Sequence, residues 1–88
     1  MKTATKLREL HDFRGTAFLY QLSEPHEGHS FIASSAVDAV YSGPETYLFG
    51  CDAEGVVQDW RELDGSFRGS LDCDRAVRNA GYEILEGK

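Results

Sequence analysis

Two rhythms of apolar and polar positions run along this chain, one of period two and one of period three to four. Residues 16–22 (TAFLYQL) are nearly continuously apolar and rich in β-formers, which predicts a central strand. Residues 23–29 (SEPHEGH) hold Pro25 and Gly28 and predict a turn. Phe31 and Ile32 open a second strand that should pair with the first as a hairpin. From Ser34 to Val40 the pattern fits either a continued strand or a helical turn, because Val37, Val40 and Tyr41 are spaced like a helix face. Ser42-Gly43-Pro44 breaks the chain.

Residues 46–49 predict a third strand, and residues 51–55 a loop of hairpin length with Gly55 at its end. Residues 56–60 predict a fourth strand, with Val57 and Asp59 on one face and Val56, Gln58 and Trp60 on the other. Residues 63–66 form a turn. Residues 71–80 then carry the strongest helical signal: Cys73, Val77 and Ala80 recur at i, i+4 and i+7. Ser70 or Asp72 can cap the start, Asp72 and Asp74 suit the positive end, Arg75 and Arg78 the negative end, and Gly81 stands where a C-cap glycine belongs. Residues 82–85 predict a last short strand. At the other terminus, Leu7, Leu10 and Phe13 recur every three residues, so residues 1–14 read as a flexible arm or a short helix closed by Gly15. The predicted fold class is α+β: one domain over residues 1–88, a mostly antiparallel sheet of four or five strands with a helix from the C-terminal half packed on one face, in the order (α)ββ(α)ββαβ.

Charge changes this picture more than composition does. With 88 residues, 41% of them hydrophobic, and ten aromatic rings, the chain has material for one core and none to spare for a second. Its net charge is −6, unevenly placed: residues 1–14 carry +2 and the remainder −8. Between Glu45 and Asp74, eight acidic residues face two basic ones, Arg61 and Arg68. Such a surface repels phosphate backbones, so direct nucleic-acid binding is disfavoured and a basic protein surface is the natural partner. The plainer reading is that the charge only keeps a small protein in solution. No apolar stretch approaches the roughly 18 residues of a membrane span, and the first ten residues lack the apolar core of a secretory signal. Two cysteines, Cys51 and Cys73, suit reduced thiols in a cytoplasmic chain, with a single bridge between them as the alternative.

Gly43-Pro44-Glu45-Thr46, then the run 59–66 (DWRELDGS), a short helix, and Gly81-Tyr82-Glu83 together resemble small uncharacterised proteins encoded by bacteriophages and actinobacterial genomes. The resemblance covers residues 31–86 and rests on turn and packing residues. It transfers no residue role. It implies a phage or mobile-element setting, the host cytoplasm as the working compartment, and the company of small acidic inhibitors of host defence such as anti-CRISPR proteins.

Several groupings carry potential chemistry, and each has a plain alternative. His26 and His29, with Glu24 and Glu27 beside them, can share a metal if the loop curls, but no third distant ligand is evident, and solvent-facing loop residues are the simpler account. Cys73 in a first helical turn gains from the helix dipole, yet Asp72 and Asp74 oppose its thiolate; it reads as a core residue, and Cys51 as strand-end filler. Asp59 with Glu62, or Asp52 with Glu54, can split their pKa values as a catalytic pair does, but nothing marks a cleft. The segment 65–70 (GSFRGS) has the glycines of a phosphate cradle, among aspartates that repel phosphate. No nucleotide-loop, dinucleotide or nucleophile-elbow motif is present, and no cofactor is implied.

The expectation is therefore a non-enzymatic binding protein whose acidic residues Glu45, Asp52, Glu54, Asp59, Glu62 and Asp64 occupy a basic nucleic-acid-binding surface on a partner. Trp60 and Tyr47 are the aromatic anchors such an interface can use, although Trp60 with Val56 also reads as a core residue beneath the helix. The alternatives are a homo-oligomeric assembly module, pairing through strand 16–22 if that strand is an edge, and a metal-binding protein or enzyme using His26 and His29.

Overall fold

Thr3 and Thr5 favour extended backbone, and the first fourteen residues supply a strand rather than an arm or a helix: β1 spans Thr3–Leu10. The three-residue spacing of Leu7 and Leu10 has a sheet explanation. A bulge between Lys6 and Arg8 makes Leu7 the extra residue, so Ala4 and Leu10 end on opposite faces of the sheet. The computed structural model describes residues 2–11, 13, 15–39 and 43–86, without the side chains of Ala39, Asp59 and Glu86.

β2 (Thr16–His26) and β3 (His29–Ala39) form a hairpin longer than expected, because both strands continue through the segment read as a loop. Pro25 donates no hydrogen bond, and the ladder is irregular between Gln21 and His26, but pairing resumes at His26 with His29. The tip is the two-residue turn Glu27-Gly28, both at positive φ. Residues 34–39, which fitted strand or helix, belong to β3; Val40 and Tyr41 lie outside the described residues. β4 (Gly43–Cys51) pairs with β3 along its whole length. The chain then returns along the far side of β4 as β5 (Val57–Asp59) and a two-residue strand, β6 (Phe67–Arg68). Helix α1 (Cys73–Asn79) crosses the sheet and delivers β7 (Glu83–Glu86) parallel to β1 at the opposite edge.

The class is α+β, with one helix among the described residues, but the sheet has seven strands rather than four or five. Its order is β5-β4-β3-β2-β1-β7, with β6 also on β4. The two missed strands, β1 and β6, owe their extension to distant partners, β2 with β7 and β4 respectively. β2 is interior, flanked by β1 and β3, so it offers no edge for pairing with a second copy.

The helix takes the predicted caps but starts at Cys73 and not at residue 71, so Arg75 falls in the first turn and Arg78 lies in the last. Asp72 is the N-cap and accepts from the Arg75 amide (3.1 Å), and Gly81, at φ +100°, follows the C-cap Ala80. Ala76, Val77 and Ala80 press on Tyr20, Ile32 and Leu48 to form the main core. Each large side chain buried there contributes roughly 1.5–3 kcal/mol. A polar thread fastens the layers: Tyr20 Oη donates to Asp74 (2.5 Å), and Ser34 Oγ donates to the Cys73 carbonyl (2.9 Å). Burial, reinforced by that bond to Asp74, holds the Tyr20 phenol protonated far above its usual range. On the opposite face, Leu10, Ala17, Leu19, Ala33 and Cys51 make a smaller core capped by Phe13, Phe31 and Val57. No described helix is long and apolar enough to cross a membrane.

Candidate functional site

The acidic positions do not gather into one patch. Glu45 sits on β4 opposite Arg68 and is only 4% exposed, so it is withdrawn from any docking surface. Asp52 shapes the turn after β4: its Oδ1 accepts from the Glu54 and Val56 amides (2.9 and 3.0 Å), and its Oδ2 from Gln58 (3.3 Å). Glu54, Glu62 and Asp64 are exposed. Asp59 lies on β5 opposite Gly50, and its side chain falls outside the described residues.

Asp64 belongs to a clasp that the sequence did not suggest. The tip of the β2–β3 hairpin reaches the loop after β5, where Asp64 N donates to Glu27 Oε2 (2.7 Å) and His26 Nε2 donates to the Asp64 carbonyl (2.8 Å). Arg61 stands 3.5 Å from the other Glu27 oxygen. The Asp64 amide, aided by the Arg61 charge, holds the Glu27 carboxyl below the ordinary glutamate range. His26 and His29 thus flank a tight turn and serve different neighbours. His26 lies edge-on to Tyr82, with centroids 5.9 Å apart, while the His29 ring packs so close over Gly50 that a β-carbon there would overlap it. Among the described residues no group of three or more His, Cys, Asp or Glu is placed to hold a metal.

Both cysteines are free and buried. Burial pushes the Cys51 thiol up to about 12 and raises that of Cys73, whose Sγ donates to the Ser34 and Thr16 carbonyls (3.3 and 3.6 Å). Cys73 lines a cavity of about 260 Å³ beside Lys6 and Asp74, but a protonated thiol there is a poor nucleophile. Lys6 is fully engaged in that cavity, 3.4 Å from Asp74 and 4.1 Å from the Phe18 ring centroid.

No family model, curated protein or solved structure matches this chain.

The strongest surface feature lies on the sheet face away from α1. Trp60, read as a core residue beneath the helix, is 66% exposed on the opposite side. The cause is local: Gly50 pairs with Asp59 but Cys51 with Val57, so Gln58 is an extra residue and Trp60 rejoins the face of Val57. There it meets Phe49 edge-on (5.1 Å between centroids) and Phe13 at a tilt (5.8 Å). Tyr47, two residues before Phe49 on the same side of β4, extends the row (6.1 Å). Four rings, Tyr47, Phe49, Trp60 and Phe13, therefore cross this face in series. Phe49 and Phe13 were not foreseen, although the i, i+2 spacing of Tyr47 and Phe49 is the signal that finds one of them. At the Phe13 end, Trp60 borders a groove of about 440 Å³ whose apolar wall is Leu10, Phe13, Val56 and Val57 and whose polar wall is Arg8, His11 and Glu54.

Proposed function

We propose that this chain is a non-enzymatic acidic binding protein whose docking surface centres on Trp60, and that it occupies a basic, nucleic-acid-binding surface on a partner protein. The phage resemblance supports placing it with small inhibitors of host defence that act in the host cytoplasm. One observation carries the proposal: the only tryptophan of the chain stands two-thirds exposed in an aromatic row, with the exposed Glu54 lining the groove beside it. Large exposed rings with packed neighbours are the usual energetic centres of interfaces, and charge around them sets partner choice and association rate. Of the six acidic candidates, Glu54, Glu62 and Asp64 take the contact role, with Asp59 beside them in sequence. Asp52 holds the loop, and Glu45 serves the fold. Exposed carboxylates of this kind can fill lysine and arginine sites meant for phosphates.

The test is capture of a partner from bacterial lysate at low salt, followed by elution with duplex DNA. A nucleic-acid-processing protein that DNA displaces, and that a Glu54→Lys, Glu62→Lys, Asp64→Lys triple variant fails to retain, is the expected result. Retention unaffected by DNA and by the triple variant would overturn the proposal.

One observation favours a second reading, self-assembly. β7 pairs only with β1 among the described residues and so leaves an open edge. Antiparallel pairing of β7 with a second copy places Glu83 opposite Glu86, a like-charge contact that resists association at neutral pH. A strictly monomeric mass at high protein concentration would remove this reading.

A further inference from the structure

We propose that the groove beside Trp60 is an arginine site: a guanidinium from the partner stacks on the indole and pairs with the Glu54 carboxylate. This deepens the binding role proposed above and rests on it. Two observations carry the inference. The indole packs against Phe49 and Phe13 at interplanar angles of 65° and 55° and still leaves two-thirds of its surface to solvent. Glu54, an exposed acidic residue, lines the same groove as Trp60.

That pairing of groups selects a particular cation. A planar guanidinium lies flat on an indole while its in-plane N–H groups still reach a carboxylate at the ring's edge. An ammonium is more strongly hydrated and has no flat face to stack. The apolar wall of Leu10, Phe13 and Val56 suits the aliphatic stem of the side chain. The groove's resident cation, Arg8, donates through Nη2 to the Glu54 carbonyl (2.5 Å), a bond that ties the 52–56 turn to β1. A guanidinium already lies over an aromatic ring elsewhere in the fold, where Arg75 sits 4.9 Å from the Phe67 centroid.

The single tryptophan makes the site its own reporter. Capped hexa-arginine and capped hexa-lysine are titrated into the intact protein at low salt under selective tryptophan excitation, with calorimetry in parallel. The expected result is a saturable change in Trp60 emission with hexa-arginine and affinity roughly three- to tenfold above that for hexa-lysine. Glu54→Gln, an exposed change that keeps the carbonyl used by Arg8, should weaken hexa-arginine binding severalfold. Trp60→Leu, followed by calorimetry and circular dichroism, should erase the preference for arginine while the fold persists. Equal affinity for the two peptides, or binding that leaves Trp60 emission unchanged, would overturn the arginine site. If that happens while the triple charge reversal still abolishes DNA-sensitive partner capture, the arginine site falls and the acidic binding role stands. If hexa-arginine engages Trp60 but the captured partner ignores DNA, the site stands and the competitive role falls.

Discussion

Arg68 Nε stands 3.3 Å from Glu45 Oε2, and the two residues are direct cross-strand partners between β6 and β4. Glu45 is buried, Arg68 is largely exposed, and Glu45 Oε2 has no hydrogen bond of proper geometry among the described residues. The pair therefore neutralises a carboxylate that the fold has taken out of water, at a contact screened on the arginine side. Arg68→Ala should destabilise the protein by about 1 kcal/mol, because it leaves the carboxylate buried and alone while solvent near the exposed partner limits the penalty. Glu45→Gln should cost less and leave partner capture unchanged. Urea unfolding of the two variants checks the order; a larger loss for Glu45→Gln would contradict it.

Gly65 and Gly69 separate backbone strain from steric conflict. Both adopt positive φ, +115° and +108°, where an L side chain is strained. A β-carbon at Gly69 meets nothing within 4 Å, but at Gly65 it would lie 2.6 Å from the Ala76 carbonyl oxygen and 2.9 Å from a Leu48 methyl. Gly65 is the point where the loop before β6 touches the helix and the sheet together. Gly69→Ala should cost about 1–2 kcal/mol from conformation alone, and Gly65→Ala about 3 kcal/mol or more. Equal midpoints in thermal or urea unfolding would show that the loop does not pack as described.

Acid should open the hairpin clasp before it unfolds the sheet. The Glu27 carboxyl is held below its ordinary range, chiefly by the Asp64 amide and then by the Arg61 charge. A carboxyl depressed in the folded state contributes stability that is fully present above its unfolded pKa and is lost as pH falls through its lower folded value. Exchange protection of the Asp64 amide should therefore fade as pH drops below the ordinary glutamate range, and Glu27→Gln should weaken that protection already at neutral pH. Hydrogen exchange followed by NMR, with temperature and intrinsic exchange rates accounted for, reads both; protection independent of pH and of Glu27 would contradict the clasp.

What the sequence made legible was local. The helix at Cys73–Asn79 carried its cap, its buried stripe and its terminal glycine within ten residues, and all three are present. The strands holding residues 16–22 and 46–49 were declared by continuous apolar and β-branched runs. What escaped depends on partners far along the chain. β1 is a strand because β2 and β7 flank it, and the Leu7–Leu10 spacing that imitates a helix is a bulge. One further parity change hid the site. The extra residue Gln58 turned Trp60 from the helix-facing side to the other, and no reading by strict alternation survives such an insertion. The acidic count was visible, but counting could not tell that Glu45 is buried and that Asp52 is occupied by its own turn.

Exposure decides how Trp60 can be tested. A tryptophan beneath the helix would be inseparable from stability, since its removal would leave a large cavity. Here two-thirds of the side chain is already in water, and its contacts are those with Phe49, Phe13 and the groove wall. Trp60→Ala should therefore cost about 1 kcal/mol or less of stability, in the range of a single partly buried aromatic contact. Val77→Ala, at a fully buried position between α1 and the sheet, should cost about 1–3 kcal/mol for the smaller loss of two methyl groups. Binding should show the opposite order, with Trp60→Ala abolishing partner capture and Val77→Ala sparing it wherever the protein remains folded. Unfolding curves and capture assays on the two variants decide the matter: a Trp60→Ala protein that unfolds like a core variant would return the residue to the interior, and one that folds and still binds would strip it of its proposed role.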